Sequence, residues 1–171
     1  FKGTPSIGTT NYAAEKKAMD AIEAVYDRLS EERRLGVRAD ARKIAALEEE
    51  LAAAIEKAAE FADSAAFTRI IDENGGVGLN AGTGLDATNY FYSLPANRTE
   101  LWFLLESQRF LRPVYREFYK ERDVVREERR MRVESNPQGK MMEALLAAAF
   151  MAHPYRNMPG GWAGDIESLR V

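Results

Sequence analysis

The stretch "KERDVVREERRMR" places Glu121 and Glu128 seven residues apart. At about 100° per residue the two directions differ by about 20°, so on a helix both acids share one face, two turns apart. Val124, Val125 and Met131 fall near the same stripe, so the acids point where the helix also points apolar groups. An unpaired carboxylate is costly to bury, and such residues are matched by a cation, a metal or hydrogen-bond donors. The competing reading rotates the stripe slightly and pairs both acids with arginines on the surface. The remaining residue types limit the chemistry further, because there is no Cys and only one histidine, His153. A thiolate nucleophile, a disulfide framework, a Cys-rich zinc site and any chemistry needing two imidazoles are excluded within this chain.

Several elements must position these residues. From Tyr12 to about Leu29 the apolar residues Ala18, Ile22, Val25 and Leu29 recur at three and four, the period of a helix with one apolar face. Ile44, Leu47, Leu51, Ala54, Ala58 and Phe61 repeat the pattern over about 38–61, and "RRLGVRAD" lies between, with Gly36 placed to end the first helix. The spacing predicts an antiparallel helical hairpin with a narrow seam, serving either as a docking arm for a partner or as an insertion lying on its own domain. After Ser64 the texture changes. "AAFTRIIDENGG" predicts a short helix ending at Gly75 and Gly76, and "VGLNAGTG" and "ATNYFYSL" predict two strands around the turn "GLD". The segment 98–111 is apolar enough to be a buried helix behind that sheet. Helices over about 116–135 and 138–152 follow, separated by Asn136 and Pro137. This order describes an α+β fold with an antiparallel sheet packed against helices.

Composition agrees with one soluble globular domain: 46% of the residues are apolar and 30% charged. No apolar run reaches the roughly 20 residues that cross a bilayer. The net charge of −3 provides no overall positive field for nucleic acid or anionic lipid. The first residue is Phe1, with neither an initiator Met nor the charged and apolar regions of a signal peptide ahead of it. The expectation is that something precedes it.

Four blocks, "FKGT", "GGVGLNAGTGLDATNYFYSLP", "ERDVVREERRM" and "AHPY", occur in the order seen in the pitrilysin/insulinase family of zinc metallopeptidases, and the chain resembles the family's bacterial members. The resemblance implies that residues 1–171 are a partial N-terminal peptidase domain starting just after the family's inverted His-x-x-Glu-His helix, with a helical hairpin inserted over 11–62. It implies that Glu128 is the third zinc ligand. Glu121 then matches a carboxylate that supports the site without binding the metal. The general base belongs to the missing motif, so no catalytic residue is expected in this chain. In that family zinc polarises the carbonyl and lowers the pKa of bound water to about 7. "LNAGT" matches the substrate-binding edge strand, which makes Asn80, Ala81, Gly82 and Thr83 the peptide-contacting candidates. His153 falls in a loop and is not a ligand.

By the same resemblance the function expected is that of a zinc-dependent metalloendopeptidase cleaving extended peptides through metal-activated water. The chain alone is expected to be inactive and to hold zinc poorly. Its expected partners are an extended peptide and the remaining half-domains of the same protein or a partner subunit, with no nucleic acid and no membrane span. A bacterial periplasmic or envelope location follows from the resemblance only. Two alternatives stay open: a non-catalytic peptide-binding or scaffold subunit of the same family, and a module whose hairpin chiefly binds a partner.

Overall fold

The computed structural model describes residues 2–171 and divides them into two compact units: the described residues up to Gly76 with Leu94–Glu117, and Val77–Ser93 with Phe118–Val171.

The first unit is built on the expected hairpin. Helix α1 spans Tyr12–Arg34 and α2 spans Ala41–Ala59. Each start is capped by a short polar side chain: Asn11 accepts from the Ala14 amide (3.2 Å), and Asp40 accepts from the Arg42 amide (2.9 Å). α1 runs past Leu29 because "SEERR" continues in good helix formers. It stops where Gly36 takes φ +56°, a left-handed conformation that costs glycine nothing. Ala18, Ile22, Val25 and Leu29 bury against a seam supplied by Leu47, Leu51 and Ala58. Arg28 with Glu50 and Arg33 with Glu48 bridge the helices along its flanks. At the base, Thr9 pairs antiparallel with Ala62, so the hairpin leaves and rejoins the chain at one point.

Behind that base lies a buried charge. Glu15 and Arg116 are each about 1% exposed at the side chain, and the Arg116 Nε donates to Glu15 Oε1. The remaining guanidinium nitrogens donate to the carbonyls of Thr4 (2.6 Å), Ile7 (3.1 Å) and Lys2 (3.2 Å). This is what "FKGT" does in the fold. Gly3 sits at φ +115°, and a Cβ there would stand 2.0 Å from the Ile7 carbonyl oxygen, while the buried Thr4 hydroxyl accepts from the Ile7 amide. The short helix α3, Ala66–Glu73, buries Phe67 and Ile71 and ends at Gly75, as the sequence predicts.

Helix α4, Thr99–Leu111, forms where expected but is not buried. Only Leu105 is inside; Trp102, Phe103, Leu104, Phe110 and Leu111 are exposed. Its apolar residues surround the axis, and burying all of them needs cover on several sides, whereas one side is covered here. It also belongs to the first unit while the strands belong to the second.

The second unit carries strands β1, Val77–Thr83, and β2, Thr88–Ser93, paired antiparallel from Thr83↔Thr88 to Val77↔Ser93. A register irregularity lies between Val77 and Asn80, where Gly78 takes φ +71°. Helix α5, Phe118–Arg129, continues as a π-helical turn over Arg130–Glu134, in which the Ser135 amide donates to the Arg130 carbonyl five residues back (2.8 Å). Asn136 then caps α6, Pro137–Ala149, with Pro137 in its first turn. The corner requires Gly139, because a Cβ there would lie 2.1 Å from the Arg132 carbonyl oxygen. Helix α7, Ala163–Ser168, closes the unit through buried Ile166. The architecture is α+β: helices with a two-stranded antiparallel sheet.

Candidate functional site

Two stripes run along α5. Arg122, Arg126 and Arg129 follow at four and three and turn to the rest of their unit. Arg129 donates to the Gly161 carbonyl (2.6 Å), pairs with Glu143 (2.8 Å) and stacks over the Trp162 ring at 5.6 Å. Arg126 bridges Glu134 and Glu167, both at 3.0 Å, and Arg122 reaches the Leu169 carbonyl. About 100° around the helix lies the stripe of Glu121 and Glu128. Here the surroundings are open. Glu121 is exposed, Glu128 is half exposed, and Val124, Val125 and Met131 are exposed beside them. Glu128 pairs with Arg132 one turn on (2.8 Å), and Glu127 pairs with Arg130. The Arg130 hydrogen bond, with the charges of Arg130 and Arg126 behind it, holds the Glu127 carboxyl below its ordinary value.

Of the two readings left open by spacing, the free geometry of Glu128 corresponds to surface pairing with an arginine. Among the described residues no group of three or more His, Cys, Asp or Glu could hold a metal ion. One half-exposed carboxylate already engaged by Arg132 does not make a zinc site, which needs about four nitrogen, sulfur or oxygen donors. The residues of this chain therefore do not by themselves fit the metal.

The four peptide-contacting candidates lie on β1. Asn80, Ala81, Gly82 and Thr83 face Phe91, Tyr90, Asn89 and Thr88 across the ladder, and all four are exposed. β1 has β2 on one side and, among the described residues, no strand on the other. Asn80 Oδ1 accepts from the Ala81 amide (2.8 Å), and the Thr83 and Thr88 hydroxyls meet across the strands (3.1 Å). The strand turn is tied down by a residue that spacing did not single out. The Tyr155 hydroxyl donates to Asp86 at 2.7–2.8 Å, which raises the Tyr155 pKa above its ordinary 10.0, the hydrogen bond contributing most. His153 sits next to it, its Nδ1 accepting from the Tyr155 amide (3.3 Å) and its ring 4.3 Å from the Tyr155 ring. It caps a short turn, as a loop histidine does.

Glu121 and Glu128 thus stand on one helix and the peptide candidates on one strand of the same unit. The Arg129 cluster and the Glu15–Arg116 pair went unread in the sequence. No local sign marks the latter, because its partners are 101 residues apart along the chain.

No protein-family profile matches the chain. The chain is 35% identical over 104 residues to Zinc protease PqqE of Helicobacter pylori, a match covering 60% of this chain and 23% of that protein. Its fold is similar to the crystal structure of a protease from Helicobacter pylori, with a TM-score of 0.56 and 32% identity over 64% of this chain and 26% of that one. The chain therefore spans about a quarter of the length of the relatives it matches. Over these residues the chain is similar to part of a zinc protease and, in fold, to part of a protease of known structure.

Proposed function

We propose that the chain is part of a zinc-dependent endopeptidase that hydrolyses extended peptides, and that Glu128 supplies one oxygen donor to a metal whose other ligands lie on a His-x-x-Glu-His segment outside this sequence. The observation that carries this reading is the similarity to a zinc protease, joined to the placement of Glu121 and Glu128 on one open stripe of α5. In this reading the Glu128 carboxylate, paired with Arg132 in this chain, exchanges that arginine for the metal. Glu121, two turns earlier, orients and balances charge around it. The open edge of β1 offers backbone N–H and C=O groups to an extended peptide, which gives affinity with little side-chain selectivity. Asn80, Ala81, Gly82 and Thr83 are the contact residues, and their small or polar side chains leave the backbone accessible. Alone, the chain neither holds zinc firmly nor cleaves.

The Glu128–Arg132 pair also favours a second reading. A non-catalytic subunit of the same family would keep that pair as a surface contact and use only the strand edge. Zinc content and peptide cleavage separate the two, measured on a protein that carries the His-x-x-Glu-His segment ahead of Phe1 and on its Glu128→Gln variant. About one zinc per chain and cleavage, both collapsing in the variant, support the peptidase. A folded protein with neither zinc nor cleavage overturns it.

A further inference from the structure

The tip of the α1–α2 hairpin is chemically unlike its shaft. Between Arg33 and Lys43 stand five cations and one acid, Asp40, in a chain whose net charge is −3. Arg33 and Lys43 are occupied by Glu48 and Glu32. The guanidinium groups of Arg34, Arg38 and Arg42 are exposed and have no ion pair or hydrogen bond among the described residues. The Asp40 carboxylate is taken up in capping α2, so it does not neutralise them. At the apex, in the turn made by Gly36, Val37 is fully exposed at 105%, and Leu35 is 41% exposed beside it. With 23 residues in α1, the apex stands about 35 Å from the base of the hairpin.

We propose that this tip docks on a membrane surface bearing anionic lipid headgroups. Three unpaired arginines complement a layer of phosphates, each able to engage phosphate through two parallel N–H donors. The apical Val37 and Leu35 enter the boundary between headgroups and acyl chains, where apolar area is withdrawn from water without a shaped partner. The composition argues for a bilayer over a protein. The tip carries no aromatic residue between Arg33 and Lys43, whereas protein interfaces concentrate their affinity in Trp, Tyr and Arg seated in pockets. The shaft behind it, residues 12–32 and 44–59, carries ten acids against four cations, a net negative charge that an anionic surface repels, so the hairpin meets the membrane end-on. Such contact is peripheral, since no helix among the described residues is long and apolar enough to cross a membrane. The proposal stands whether or not the protein is a peptidase.

The test is sedimentation of the full protein with phosphatidylcholine vesicles, and with the same vesicles containing about one-third phosphatidylglycerol, at low and at physiological salt. Binding is expected only to the second kind, weaker at higher salt. Replacing Arg34, Arg38 and Arg42 together by Gln lowers the partition coefficient about a hundredfold. Val37→Ser, which leaves the charge unchanged, lowers it about tenfold. Equal binding to both vesicles, no binding to either, or full binding by the triple variant overturns the proposal. So does binding to soluble polyglutamate as tight as to vesicles and unaffected by Val37→Ser, which would mark the tip as a site for an acidic protein.

Discussion

Loss of the buried Arg116 guanidinium, which holds Glu15 and three carbonyls, should destabilise the first unit strongly. In Arg116→Met the Glu15 carboxylate stays buried with no cation, and Glu15 Oε2 already lacks a hydrogen-bond partner. Removing one member of a buried ion pair costs about 3–5 kcal/mol, because the other charge is left uncompensated. Three carbonyls, of Lys2, Thr4 and Ile7, lose a charged donor at the same time. Each unmet acceptor adds up to about 1–3 kcal/mol where water does not replace it. The expected loss is therefore at least about 3 kcal/mol, a large part of the roughly 5–15 kcal/mol that holds a domain folded. Glu15→Gln should cost less than this, since the guanidinium keeps its three carbonyls and an amide oxygen still accepts. Combining Glu15→Leu with Arg116→Met removes both charges and should recover about 1–3 kcal/mol relative to the sum of the single changes. Urea unfolding followed by circular dichroism gives these values, and hydrogen exchange at the Val114 amide, which donates to the Gly3 carbonyl, reports the loop directly. A loss under about 1 kcal/mol in Arg116→Met, or strict additivity in the double variant, would refute the assignment of this pair as the fastener of the "FKGT" loop.

Two further outcomes can be checked on the same protein. Glu32 accepts from the Asp40 amide (2.8 Å) and from Lys43 (2.6 Å), and these contacts, the amide first, lower its pKa from the ordinary 4.5. A depressed carboxyl stabilises the fold above its unfolded value and loses that contribution as pH falls through the folded one. Protection of the Asp40 amide, its exchange relative to the intrinsic rate at each pH, should therefore fall below about pH 4.5 in the native chain, and Glu32→Gln should abolish that fall while lowering protection at neutral pH. In the second unit, Gly139→Ala forces a methyl against the Arg132 carbonyl. Overpacking of this kind costs about 1–3 kcal/mol, read as a lower unfolding midpoint; an unchanged midpoint would mean the corner is looser than its geometry.

Local structure was largely legible because it depends on neighbours in the chain. The seam residues Ala18, Ile22, Val25, Leu29, Leu47, Leu51 and Ala58 are all buried, and Ile44, Ala54 and Phe61 are half buried. Asn11, Asp40 and Asn136 cap the helices they precede, and the strands fall on "VGLNAGT" and "TNYFYS". α4 shows the limit of such reasoning. Composition says that its side chains favour burial, but not whether any surface arrives to cover them.

The candidate site divides in the same way. The shared face of Glu121 and Glu128 is a property of helical period, so seven-residue spacing alone established it. Which partner Glu128 takes is a different matter, since a cation, a metal and solvent are all compatible with that spacing; the fold supplies Arg132 one turn away. The deepest feature of the first unit could not have been read at all. Glu15 and Arg116 are 101 residues apart, and nothing in either neighbourhood specifies the other. Their pairing exists because the hairpin base, the loop before it and the segment after α4 converge on one point. Periodicity, caps and turns are written into consecutive residues, whereas the burial of a charge is decided only when distant segments meet and exclude water.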